Sequence, residues 1–319
     1  MKAGTIAAAL LLAIAAPAAA EDAFPARPVS LVVPIAAGGG LDAVARLTAR
    51  KFSTALGQPI VIENRAGGSQ NIGIRAVAKA AADGYTLLYA SNTITINPAL
   101  FTNLGYDVNT DLVPIGKVAS LPLLIVGRAA APYKTLPELI AFAKANPEKL
   151  SYGSPGSGTP HHLGMELLKS AAAIEVTHVP YKGSAPGLTD LLGGNLPLLV
   201  TTAAPVRAQL ASGELRAFAT LDAARLAEYP QVPAVNETLK YFEVGVWHGV
   251  FAPAATPPAI AAKLTRVLEG VVKDQEFASQ LDKIGVLAAW APPADLRTTI
   301  KNEQAAWAIA IKKAGIQVK

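Results

Sequence analysis

The sequence predicts an α/β protein folded as two lobes around a cleft. Three observations carry this. The chain has 319 residues, enough for two domains of ordinary size, each with its own core. Short β-branched runs alternate with Ala- and Leu-rich segments of helical spacing, the pattern of βαβ units and a mostly parallel sheet. Glycine-rich turns recur in both halves of the chain where a strand hands over to a helix. In such sheets ligands sit beyond the carboxyl ends of the strands, so these turns are the candidate ligand loops.

The N-terminus belongs to neither lobe. Met1-Lys2 is a short positive region, Ile6 to Ala16 an apolar one, and Ala18-Ala19-Ala20 a small-residue cleavage site, so residues 1–20 read as a secretory signal peptide. The apolar run is short of the roughly 20 residues that span a bilayer, and no later segment is continuously apolar for that length. With no cysteine there is neither a disulfide nor a lipid-modified N-terminus. An exported chain without an anchor fits the bacterial periplasm. Loss of the signal removes one lysine and no acid, taking the formal charge from +5 to +4. So mild an excess, with no Lys/Arg cluster and 6% aromatics, is a poor match for a nucleic-acid binder.

The first strand is Leu31-Val32-Val33, which breaks at Pro34 into Ile35-Ala36-Ala37-Gly38-Gly39-Gly40-Leu41-Asp42 and a helical run from Ala43. Consecutive glycines let the backbone approach another molecule closely, so the free N–H groups of the helix start can face an anion. Pro59 to Glu63 is a second strand, Ile72 to Ala81 a helix and Tyr85 to Ala90 a third strand. Gly67 to Asn71 and Ser91-Asn92-Thr93 join the candidate loops. From about Leu121 the pattern repeats: strand Leu123 to Val126, helix Pro137 to Lys144, and strand Leu150 to Ser154 leading into Pro155-Gly156-Ser157-Gly158-Thr159-Pro160. Thr159 as N-cap with Pro160 in the first helical position is a strong start signal. Further helix starts lie at Gly183-Ser184-Ala185-Pro186, after the strand Val176 to Tyr181, and at Thr201-Thr202-Ala203-Ala204-Pro205, after Leu196 to Val200. Gly249 to Ala252 is a last strand, and helical stretches follow at Pro257 to Lys273, Gln275 to Ile284 and Pro293 to Lys313. A helical tail with few strands of its own packs on the first lobe. The organisation expected is lobe one from 21–122 and 248–319 and lobe two from 123–247.

The loops at 34–41, 153–160 and 183–187 contain no Arg or Lys, so uncharged N–H groups and hydroxyls must hold any anion. A helix start contributes about 0.3–1 kcal/mol, up to ~2 when partly buried, and each hydrogen bond to a charged group roughly 1.5–3 kcal/mol. Four or five such donors together offset the several kcal/mol needed to strip water from a carboxylate. One loop alone does not, which favours a cleft closed by both lobes. Asp42 has two readings: an acid in the first helical turn that fixes the helix start through the dipole, or a group that holds a polar part of the ligand or water. Trp247 and Tyr181 read equally as cleft walls or core, Lys182 as a solvated surface lysine, and His161 as a helix-start residue facing the cleft.

Enzyme chemistry finds little support. Gly38-x-Gly40-x-x-Ala43, with Glu63 near the end of the next strand, loosely fits the dinucleotide fingerprint, but export and the acid at Asp42 argue against a cofactor. No serine lies in G-x-S-x-G and no histidine in H-E-x-x-H, so neither a catalytic nucleophile nor a metal site is expected.

Five stretches together resemble the tripartite tricarboxylate transporter receptors, also called Bordetella uptake gene (Bug) proteins: Pro28 to Pro34 with Ala37-Gly38-Gly39 and Asp42; Glu63-Asn64-Arg65 with Gly67 and Asn71-Ile72-Gly73; Asp83 to Leu87; Tyr152-Gly153-Ser154 with Gly158 and His162-Leu163; and Pro180 to Gly183 with Asp190 to Gly194. The resemblance implies a type II periplasmic binding fold, two Rossmann-like lobes closing on a small organic acid: a di- or tricarboxylate, an acidic amino acid or an aromatic acid. The ligand-binding positions expected are Ala36, Ala37, Gly38, Gly39, Asp42, Ser91, Asn92 and Thr93 in lobe one. In lobe two they are Ser154, Gly158, Thr159, His161, Gly183, Ser184 and Thr202. No cofactor is implied. The partners implied are membrane permease subunits of a tripartite transporter or a sensor protein.

Overall fold

The computed structural model describes residues 24–38, 40–181, 183–222, 224–239 and 244–314. Residues 1–20, expected to be a signal peptide, Gly39 and Lys182 lie outside the described residues. Two mixed sheets form the frame. The first takes β1 (Val29–Val33), β2 (Ile60–Asn64), β3 (Thr86–Ser91), β4 (Leu112–Leu121), β10 (Val246–Pro253) and β11 (Leu287–Ala291), in the order β11-β4-β10-β3-β1-β2. The second takes β5 (Leu123–Arg128), β6 (Ser151–Ser154), β7 (Thr177–Pro180), β8 (Leu198–Thr202) and β9 (Leu215–Thr220), in the order β7-β6-β8-β5-β9.

Each sheet is buried on both faces, which explains its near-continuous apolar strands. Along β1, Val29, Leu31 and Val33 enter the core beneath α1 (Gly40–Leu56), α8 (Pro258–Val272) and α9 (Gln275–Asp282). Val32 points the other way, to Ile74 of α2 (Asn71–Ala78) and Ile94 of α3 (Thr93–Leu100). In β5 the same two-residue period sends Leu123 and Ile125 into one core and Leu124 and Val126 into another. The first of these lies under α4 (Leu136–Ala145) and α5 (Pro160–Ala172), the second under α6 (Ser184–Gly193) and α7 (Arg207–Ser212).

The structure departs from the expectations, or goes beyond them, at three points. The sheets are mixed rather than mostly parallel: β1 runs parallel to β2 and β3, but β10 is antiparallel to β3 and β4, and β5 is antiparallel to β8 and β9. The antiparallel members include the strands that carry the chain between sheets, β4 into β5 and the return into β10. Second, two elements not assigned from the sequence are present: α3, although Thr93-Ile94-Thr95-Ile96 alternates like a strand, and β11, although Leu287–Ala291 is rich in helix-forming alanine. Packing against the sheet overrides local propensity at both places. Third, the helical tail does not rest on the first lobe alone. In α10 (Pro293–Ala314), Leu296 and Ile300 join the first sheet's core, whereas Trp307, Ala310 and Ile311 enter the second sheet's core beside Leu163 and Leu168.

Candidate functional site

Strand direction sets where a ligand can go. β4 runs in the same direction as β1–β3, because β10 is antiparallel to both β3 and β4, and β4 ends at Leu121 as the chain leaves for the second sheet. The carboxyl ends of β1–β3 therefore point at the second lobe. β5 begins at Leu123 opposite Thr202, the last residue of antiparallel β8. The carboxyl ends of β8 and of β6 and β7 therefore point back at the first lobe. Turns from both lobes face the same gap, which no alternation pattern in one lobe reveals.

In the turn after β1, Ala36, Ala37 and Gly38 are exposed, and the amides of Ala36 and Ala37 meet no acceptor among the described residues. The Gly38 amide is used internally: it donates to Asp42 Oδ2 at 2.8 Å. Asp42 is only 2% exposed, and it also accepts from Arg46 Nε at 2.8 Å and from Asn64 Nδ2 at 2.9 Å. Burial alone would raise its carboxyl pKa, but hydrogen bonds from Arg46, Asn64 and Gly38 outweigh this and hold it down at about 2. Of the two readings of Asp42, these bonds support the one in which it fixes the helix start: Asp42 and the Gly38 amide together fasten the turn. Asn64, at the end of β2, is the partner that sequence spacing did not single out.

After β3, Asn92 is fully buried and its Nδ2 donates to Gly245 O at 2.7 Å, tying α3 to the returning chain, while its Oδ1 is buried without a partner among the described residues. Ser91 is also buried, and Thr93 is the half-buried member of the trio. Trp247, left open between wall and core, is core: it is 3% exposed and donates Nε1–H to Glu303 of α10 at 2.7 Å.

In the second lobe, Thr159 caps α5 as expected: its Oγ1 accepts from the His162 amide at 3.4 Å and donates to Gly156 O at 2.7 Å. The Gly158 amide is held by His162 Nδ1 at 3.0 Å, and buried Ser154 lies 2.7 Å from His178 Nε2. Ser154 and Gly158 are thus parts of the loop's frame. Exposed Ser157 keeps its amide without an acceptor among the described residues. His161 has its Nδ1 buried without a partner, and burial pushes its pKa down to about 4. Tyr181 is half-buried and donates to Asp190 at 2.7 Å.

The start of α6 is the least satisfied of these turns. Gly183 takes φ 101°, a left-sided conformation that disfavours a side chain, and makes no side-chain cap. The amides of Ser184 and Ala185 therefore have no intrahelical acceptor, and the Ser184 hydroxyl is half-buried with no partner among the described residues. Thr202 is likewise half-buried at the end of β8; the helix start expected after it is a single 3-10 turn, Ala204–Val206, before six-residue α7. Cations near these strand ends are engaged: Arg46 with Asp42, Arg65 with Glu63 at 2.6 Å, and Arg207 with Glu228 at 2.9 Å. The turns at these strand ends thus offer unpaired amides and hydroxyls, and the three arginines named are each paired with a carboxylate. A separate cavity of about 610 Å³ lies at the outer edge strand β9, between Lys134, Arg216 and Tyr229, away from these loops. No cluster of three or more His, Cys, Asp or Glu suited to a metal occurs among the described residues.

The His162 and His178 rings stack with centroids 3.9 Å apart. Burial, with Lys169 adding to it, pushes His162 down to about 4, and burial with His162 as neighbour does the same to His178. A folded pKa below the ordinary 6.5 means that the unfolded chain takes up protons first as pH falls. This contribution is therefore complete above pH 6.5 and is lost as pH falls from there to about 4. Each pH step of one between the folded and unfolded values corresponds to roughly 1.4 kcal/mol. A melting temperature flat above about pH 7 and falling steadily to pH 4 is expected, with His162→Gln flattening the slope. Asp42, held near 2, adds to the fall only below about pH 5, where the unfolded chain's carboxyl begins to protonate.

A sequence profile described as "Tripartite tricarboxylate transporter family receptor" matches residues 44–316. Among solved structures, the periplasmic binding protein BugD is 35% identical, with TM-score 0.74, covering 93% of this chain and 100% of its own. An R. palustris protein solved with adipate is 35% identical, with TM-score 0.76 and coverage of 92% and 99%. MatC from Rhodopseudomonas palustris, solved with bound malate, is 31% identical, with TM-score 0.72 and coverage of 90% and 100%.

Proposed function

The chain belongs to the tripartite tricarboxylate transporter family of receptors, and from that premise we propose that it is a non-catalytic receptor for a small organic carboxylate. The observation that carries this reading is the set of unpaired, uncharged donors facing one gap from both lobes: the amides of Ala36 and Ala37 on one side, and Ser157, Ser184 and Ala185 on the other. The amide N–H groups in this set can only donate, which suits an anion rather than a cation. Adipate and malate, bound by the two R. palustris relatives, define the ligand class. In this reading the chain is exported through residues 1–20 to the periplasm. Lobe one comprises 21–122 and 248–319, with α10 leaning on both lobes, and lobe two comprises 123–247. The closed receptor delivers its acid to membrane permease subunits. Thr93, Thr159 and Thr202 supply hydroxyls alongside the free amides, with His161 and Gly183 shaping the second wall.

A thermal-shift panel of malate, adipate, citrate and benzoate tests this. Ligand at a hundred times its Kd stabilises the folded state by about 2.7 kcal/mol, a shift of several degrees. Stabilisation by at least one acid, and none by the matching amides or amines, is expected. A melting temperature unmoved by every acid in the panel overturns the reading.

A further inference from the structure

Gln70 has a backbone that few side chains accept. It sits at φ 75°, after Ser69 at φ 52°, both left-handed and neither a glycine. The turn is clamped from beneath: Asn97 Nδ2 donates to Ser69 O at 2.8 Å and to Asn71 Oδ1 at 2.7 Å, and Tyr106 donates to the same Asn71 oxygen at 2.7 Å. Held so, the Gln70 carboxamide bonds to residues after a different strand. Its Nε2 reaches Ser91 Oγ at 3.3 Å and Thr93 Oγ1 at 3.2 Å, and Ser91 Oγ lies 3.0 Å from Thr93 Oγ1. The order β3-β1-β2 places β1 between the strands these residues follow. Gly73, one turn further along α2, packs against Pro34 just beyond β1. The Gln70 side chain therefore crosses the end of β1, beside the turn that carries the free amides of Ala36 and Ala37.

We infer that Gln70 is a positioning residue for the carboxylate, aligning the hydroxyls of Ser91 and Thr93 so that Thr93 presents its proton to the ligand. The amide N–H donates into Ser91 and Thr93, and the Ser91 hydroxyl donates to Thr93, the 3.0 Å contact being better than its 3.4 Å approach to Gln70 Oε1. Thr93 then accepts twice and has one proton left, with no acceptor among the described residues. An anion in the gap selects this orientation, and a donor chain of this kind polarises its last member. Ser91 is too buried to reach the ligand itself, so its part, like that of Gln70, is indirect.

This inference rests on the carboxylate reading, and a double-mutant cycle separates the two. Titration calorimetry with malate and adipate is performed on the wild type, Gln70→Met, Thr93→Val and the double variant. One hydrogen bond to a charged group accounts for roughly ten- to hundredfold in affinity. Thr93→Val is expected to lose that much, Gln70→Met about tenfold, and the double variant no more than Thr93→Val alone, because Gln70 acts through Thr93. Thr93→Ser, which keeps the hydroxyl, is expected to bind like the wild type. If Gln70→Met does not fold, as read from its ligand-free melt, Gln70→Asn, uncharged, too short to reach Thr93 and tolerant of the left-handed backbone, replaces it in the cycle with the same non-additivity expected. Additive losses, or wild-type affinity in the Gln70 variants, overturn the inference and leave the carboxylate reading standing. A wild type that binds no acid overturns both.

Discussion

Replacing Trp307 by alanine is expected to lower the free energy of unfolding by about 3–5 kcal/mol, the range for a buried tryptophan or phenylalanine cut to alanine. Trp307 is 2% exposed and packs in the second sheet's core with Leu163, Leu168 and Val235. Two turns earlier on the same helix, Ile300 is embedded with Val32, Ile74 and Trp247 in the first sheet's core. Between the two, Glu303 accepts from Trp247 Nε1 and Thr95 Oγ1, each at 2.7 Å. Loss of the indole therefore removes the anchor that ties α10 to the second lobe. Part of the indole is itself a cost, since Nε1–H is buried without an acceptor. Trp307→Phe keeps most of the apolar area and deletes that N–H, so it is expected to lie within about 1 kcal/mol of the wild type. Chemical denaturation followed by circular dichroism checks both. A loss below about 1 kcal/mol for Trp307→Ala, far under the range for a buried aromatic, shows that the end of α10 is not anchored in the second lobe.

Ser184→Asp is expected to move stability and binding in opposite directions. Position 184 opens α6 behind Gly183, which supplies no side-chain cap. A carboxylate there meets the positive end of the helix dipole and stabilises the fold by about 0.3–1 kcal/mol. It also occupies the place of the ligand's own charge. Two negative charges about 4 Å apart repel by roughly 4 kcal/mol at an effective dielectric constant near 20, which is close to a thousandfold in Kd. Calorimetry should find acid binding lost while the melting temperature holds or rises. Ser184→Ala, which removes only a hydroxyl donor, is expected to weaken binding about tenfold. Undiminished affinity in Ser184→Asp removes the start of α6 from the ligand site.

The elements legible in the sequence are those where local chemistry and tertiary packing agree. β1, with valines on both faces, and α5, with Thr159 and Pro160 at its start, stand where composition places them. α3 and β11 were not legible, because Thr93-Ile94-Thr95-Ile96 and Leu287–Ala291 carry the propensity of the other class and yield to burial against the sheet. Among the candidate loops, small residues and absent cations marked turns that the structure places at strand ends. They did not tell which amides are free. Gly38 and Ala37 are adjacent, yet one amide is taken by Asp42, and that depends on a hydrogen bond from Asn64 on another strand.

By itself the sequence determined the α/β class, the strand-to-helix turns and the uncharged character of their donors, since these follow from residue type and spacing along a few consecutive positions. Only the tertiary structure decided that the strand ends of the two sheets point toward each other, that Asp42, Asn92 and Ser154 hold their turns through internal hydrogen bonds, and that Gln70 reaches across to Thr93. The physical reason is distance along the chain. Strand direction, burial and hydrogen-bond partners are set by residues tens to hundreds of positions apart, and no local pattern records which of them meet.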